Sequence, residues 1–138
     1  MRPETIFAPM IVLGIWTGCV LLMTGVRRLL AVRAGRVPAN AFRLGESAEV
    51  PKDVSVTNRN LMNLLEMPVL FYVVCLSLYV THQVDRNVIV LAWIYVGLRL
   101  AHSGIHLTVN VIRLRFLSFA LSNFVLLALW IQLATRLF

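Results

Sequence analysis

Residues 6–26 read IFAPMIVLGIWTGCVLLMTGV, an unbroken apolar run from Ile6 to Val26 without a charged side chain. Crossing the roughly 30 Å hydrocarbon core of a bilayer takes about 20 helical residues, so this run predicts a membrane span. It exceeds the apolar core of a secretion signal, about 7–15 residues, and meets Arg27 and Arg28 without a small-residue cleavage site, so it reads as a retained anchor. Three more runs follow. Leu61–Thr81 is apolar apart from Asn63 and Glu66, Val88–Leu107 contains Arg99, His102 and His106, and Phe116–Thr135 is uncharged. The expected fold is an all-α membrane protein, a bundle of four transmembrane helices forming a single domain over residues 1–138. Composition agrees: hydrophobic residues make up 59% and charged ones 14%, against about 25% charged in soluble domains, and mean hydropathy is +0.82. A cytosolic enzyme, a disordered tail and a disulfide-rich secreted module are thereby excluded. Cys19 and Cys75 lie in apolar stretches and read as small buried hydrophobes.

The net charge of +7 is gathered in loops rather than in a nucleic-acid-reading module, and no nucleic-acid partner is expected. Arg27, Arg28, Arg33, Arg36, Arg43 and Lys52 fall between spans one and two, and Arg113 and Arg115 between spans three and four. The other side carries Arg2, Arg86 and Arg136. Positive-inside bias then predicts both termini outside and the first and third loops in the cytoplasm. The short gap His82–Asn87 makes spans two and three antiparallel neighbours, and the long first loop is expected over the cytoplasmic mouth.

Ionisable groups in a membrane helix cost roughly 2.5–3.5 kcal/mol near its centre, so they are functional or paired by default. Arg59, Asn63 and Glu66 fall at i, i+4 and i+7, one stripe of a continuous helix. Arg99, His102 and His106 form a second stripe, which Asn110 and Arg113 extend. With antiparallel spans the two stripes meet in the cytoplasmic half of the membrane, as a hydrated polar pocket open to the cytoplasm. Structural alternatives are ion pairs of Glu66 with Arg59 or Arg99 and Asn63 as interhelical glue. The pair His102/His106 has metal-ligand spacing but neither cysteine nor second carboxylate on its stripe, and no metal is expected. Pro68 predicts a kink that frees a carbonyl near Leu64. Trp16, Trp93 and Trp130 read as packing or lipid-facing residues.

The run Arg59-Asn60-Leu61-Met62-Asn63-Leu64-Leu65-Glu66-Met67-Pro68 resembles the R-x-x-x-N-x-x-E signature of the MAPEG family, membrane-associated proteins in eicosanoid and glutathione metabolism. Arg99-x-x-His102-x-x-x-His106 resembles that family's third-span pattern, with histidine at position 106 where better-known members carry tyrosine. The likeness covers essentially the whole chain and suggests a bacterial-type member. It implies a homotrimer in which glutathione, as co-substrate, lies in a cytoplasm-facing pocket between subunits while a lipophilic small-molecule substrate enters from the membrane lipids. It implies glutathione-binding roles for Arg59, Asn63, Glu66, Arg99, His102 and His106, and for Arg28 at the end of the first span, with Arg27 second. It implies a thiol-activating arginine at the start of span four: Arg115, within Arg115-Phe116-Leu117-Ser118-Phe119, or alternatively Arg113.

Three functions follow as expectations. The first is a glutathione-dependent enzyme of the bacterial inner membrane, a transferase or peroxidase acting on lipophilic electrophiles or lipid hydroperoxides. The second is a non-catalytic lipid-binding protein of the same family. The third is a small transporter subunit, disfavoured because no ionisable residue lies in the outer half of the spans.

Overall fold

A computed structural model describes residues 2–43 and 45–138, in which helices are joined by turns and loops and no strand occurs. A 3₁₀ turn, Pro3–Ile6, leads into α1 (Phe7–Arg33); α2 (Lys52–Leu65), α3 (Met67–Val80), α4 (Arg86–Leu107) and α5 (Ile112–Leu137) follow. α2 and α3 together make one crossing. Pro3–Arg33, Lys52–Val80, Arg86–Leu107 and Ile112–Leu137 are each long and apolar enough to cross a membrane. The chain is a four-span helical membrane bundle.

Buried positions recur at helical spacing. Phe71, Val74, Cys75 and Leu78 line one stripe of α3, Ala92, Tyr95 and Val96 one of α4, and Leu126, Leu129 and Leu133 one of α5. Phe71 stacks on Tyr95 with ring centroids 4.4 Å apart, and Phe7 meets Tyr79 edge-on at 4.8 Å. Leu22, Val80 and Phe124 stay exposed, as expected where lipid rather than water is the outer solvent. Hydroxyls of Thr17, Thr24 and Thr81 donate to carbonyls one turn back, leaving no free donor toward hydrocarbon.

The first loop is shorter than hydropathy suggests, because α1 continues to Arg33 and α2 already begins at Lys52. Gly35, at φ +67°, ends α1 in the left-handed conformation that favours glycine. Val37, Ala41 and Val50 pack with Ala31 of α1 and Val54 of α2 into a small second core. Arg36 pairs with Asp53 at 3.2 Å. The loop therefore folds onto the ends of α1 and α2 instead of covering the polar cavity described below.

The opposite end is closed by one lock. Asp85 caps α4, its carboxylate accepting the Val88 N–H at 2.9 Å. Arg136, in the last turn of α5, reaches the same carboxylate at 2.6 Å and the Gln83 carbonyl at 2.7 Å. The Val88 N–H, and then Arg136, hold the Asp85 carboxyl below its usual range. A depressed carboxyl stabilises the fold above its unfolded pKa, and that contribution is lost as pH falls through its folded value. Asp85→Ala should cost about 1 kcal/mol, the usual worth of an N-cap. Thermal melts in detergent should show the gap to wild type at neutral pH and its closure in acid.

Candidate functional site

The site begins where the second crossing breaks. Pro68 offers no N–H to the carbonyl of Leu64, and its ring crowds that carbonyl, so the α-helix cannot run on through the preceding residues. The break falls on Glu66, at φ −85° and ψ −91°. A helix C-terminus ends in unsatisfied carbonyls carrying partial negative charge. Arg99 answers it from α4. Its side chain is fully buried, and Nη2 donates to the Asn63 carbonyl in the last turn of α2. The guanidinium also lies over the Phe119 ring of α5, 5.6 Å from its centroid. Nε and Nη1 of Arg99 remain buried and unpartnered.

Beside this junction, α2, α4 and α5 enclose a cavity of about 410 Å³ lined by Asn63, His102, Ile112, Arg115, Phe116 and Phe119. Among the described residues no carboxylate lines it. Arg115 contributes a guanidinium whose Nη1 donates to Asn110 Oδ1 at 2.7 Å, while its Nε is buried without a partner. His102 Nδ1 lies 2.9 Å from the Arg115 carbonyl. A carbonyl only accepts, so Nδ1 carries a proton there. The cavity thus combines a cation, an amide, an imidazole and an apolar wall. Phe116 and Phe119 also open onto an apolar groove along α5 formed with Ala120, Asn123, Phe124 and Leu127.

The residues singled out in the sequence separate into two groups. Asn63, His102 and Arg115 share the cavity, with Arg99 buried behind Phe119. His106 is buried one turn beyond His102, their ring centroids 6.1 Å apart, and both of its nitrogens are unpartnered. Arg59 and Glu66 are exposed and do not line the cavity. The Glu66 N–H still donates to the Met62 carbonyl at 3.0 Å, so the helix holds up to Glu66 and the break redirects the chain after it. Among the described residues Glu66 makes no ion pair with Arg59 or Arg99; the pairs present are Arg28–Glu46, Arg36–Asp53 and Arg136–Asp85. Arg28 stands with Glu46, 3.3 Å away, and over the Phe42 ring. Asn110 and Arg113 do not extend the α4 stripe, because α4 ends at Leu107 and Arg113 belongs to the first turn of α5, exposed. No group of three or more His, Cys, Asp or Glu side chains converges as a metal site among the described residues.

Asn60, Ser103 and Trp16 form a polar contact that hydropathy alone does not reveal. Ser103 Oγ accepts the Asn60 amide at 2.7 Å and the Trp16 indole N–H at 2.8 Å, tying α1, α2 and α4 together. Trp16 is thus a hydrogen-bonded strut rather than a lipid-facing ring. The available signal is register: with the Asn63 backbone facing Arg99, an antiparallel partner brings Asn60 opposite Ser103.

These features define a class, an integral four-span helical membrane protein with a carboxylate-free polar cavity near one end of the bundle. The chain belongs to the MAPEG family, whose model matches residues 6–135. No individual curated protein and no solved structure gives a significant match. Family membership makes it a membrane protein of the glutathione and eicosanoid metabolism type.

Proposed function

We propose that the chain is a glutathione-dependent membrane enzyme, a transferase or peroxidase acting on lipophilic electrophiles or lipid hydroperoxides. The observation that carries this reading is the Arg115 guanidinium in a carboxylate-free cavity whose apolar wall continues into the groove along α5. A free thiol titrates near 8.5, so little of it is thiolate at neutral pH. A guanidinium beside the sulfur stabilises the thiolate directly, and the proton leaves to water. The thiolate then attacks the electrophilic carbon, the sulfur–carbon bond forming as the leaving anion departs.

Asn63, Arg99, His102 and His106 supply the remaining polar groups on the same side of the bundle, and the unpartnered N–H groups of Arg99 suit a peptide carboxylate. Arg28, Arg59 and Glu66 lie outside the cavity within one chain, which favours the homotrimer: a neighbouring subunit would bring such residues to a shared glutathione site. The crowding of basic residues in the first loop and at the start of α5 supports a cytoplasm-facing site.

Thermal melts in detergent test this. Saturating glutathione should raise the melting temperature, since a ligand at 100 times its Kd adds about 2.7 kcal/mol to the folded state. A halonitrobenzene should then be turned over with release of halide. Stabilisation by fatty acid but not by glutathione would transfer the assignment to a lipid-binding protein. No response to either would return it to the transporter reading.

A further inference from the structure

The connection between α4 and α5 runs through one residue in an unusual conformation. Asn110 has φ +48°, in the left-handed region where asparagine is tolerated better than most side chains. Its N–H closes the end of α4 by donating to the Ile105 carbonyl at 2.7 Å. That backbone turns the side chain of Asn110 toward the first turn of α5, where Oδ1 accepts from Arg115 Nη1 at 2.7 Å. Arginine is donor-only, so the amide oxygen and not its nitrogen faces the guanidinium.

An arginine near a membrane surface tends to reach for headgroups and water. Arg115 is restrained from both ends instead. His102 holds its main-chain carbonyl, and Asn110 holds the tip of its side chain. The two restraints differ in kind, because Asn110 acts on the charge itself. An amide oxygen is a neutral acceptor, so it fixes the guanidinium without cancelling its charge, whereas a carboxylate at the same place would form an ion pair. The Nε of Arg115 stays unpartnered.

We propose that Asn110 is the positioning residue for Arg115, its amide oxygen holding the guanidinium at the cavity with full charge and so setting how much thiolate bound glutathione carries. This rests on the reading of Arg115 as the thiol-activating group. Two substitutions in the full-length protein separate the backbone role from the amide role. Asn110→Gly keeps the left-handed turn and removes the acceptor. Asn110→Asp keeps an acceptor and adds the charge that would tie up the guanidinium.

The Gly variant should melt with wild type, because glycine adopts this backbone conformation freely. Its kcat for a halonitrobenzene should fall about 10- to 100-fold, the scale for a displaced catalytic group, with little change in KM for glutathione. In both variants the pH profile of turnover and the ultraviolet absorbance of bound thiolate should move to higher pH. A merely structural role would lower the melting temperature and leave the pH profile in place. If Asn110→Gly does not fold, the pH profile of Asn110→Asp carries the test alone. Wild-type kcat and pH profile in these variants, beside an inactive Arg115→Ala, would overturn the positioning role and leave the enzyme reading intact. An active Arg115→Ala would instead remove the reading on which it rests.

Discussion

Arg115→Ala should cut turnover of a halonitrobenzene by about 10²-fold or more, the scale on which loss of a contact to developing or reacting charge is felt. The argument is electrostatic and local. Arg115 is the cation that lines the cavity, its neighbours there are an amide, an imidazole and apolar side chains, and no carboxylate competes for it. On the proposed reading, its removal returns the thiol to its solution pKa near 8.5. The pH profile should therefore shift upward, and activity should recover partly in alkaline buffer. Glutathione affinity should change far less, because separate groups meet the carboxylates. Arg113 provides the contrast: it lies two residues away, is exposed and does not line the cavity, so Arg113→Ala should stay close to wild type. The reverse pattern, with Arg113→Ala inactive and Arg115→Ala unaffected, would move the role to Arg113. Steady-state turnover of the two variants over a range of pH decides between them.

The bundle itself is legible in the sequence because lipid imposes one rule, that roughly 20 consecutive residues must be apolar and helical. Helix ends are less legible. Hydropathy stops at Arg27, yet α1 continues to Arg33, since arginine favours helix and its long side chain reaches water from the helix surface. The start of α2 at Lys52 is hidden for the same reason: Lys52–Asn60 is a polar helical segment that no apolar run announces. Pro68 does announce the kink, but not which residue absorbs it. Glu66 does so, its ψ of −91° redirecting the chain from Met67 onward. The Asn60–Ser103–Trp16 contact depends on the register of three helices, which no single helix encodes. The same holds for the Asn110–Arg115 contact, which depends on a left-handed backbone and a partner five residues ahead.

Arg99 should show that stability and binding oppose each other at this site. It is fully buried, without a carboxylate partner among the described residues, and satisfied only in part by the Asn63 carbonyl and the Phe119 face. Burying a charge in such a state costs free energy unless further partners arrive. Replacing a buried, poorly compensated ionic group by an apolar one of similar volume is often neutral or stabilising. Arg99→Met fills nearly the same space, so the ligand-free variant should melt no lower than wild type. Leaving the Asn63 carbonyl open at the broken end of α2 limits any gain. The stabilisation by glutathione should largely disappear, because a hydrogen bond to a charged group contributes about 1.5–3 kcal/mol, equivalent to roughly 10- to 150-fold in affinity. Paired thermal melts with and without glutathione measure both quantities at once. A variant that melts well below wild type yet keeps its glutathione shift would make Arg99 a helix cap and nothing more. A variant that keeps its stability and loses the shift would mean that the buried charge is maintained at a cost because the ligand needs it.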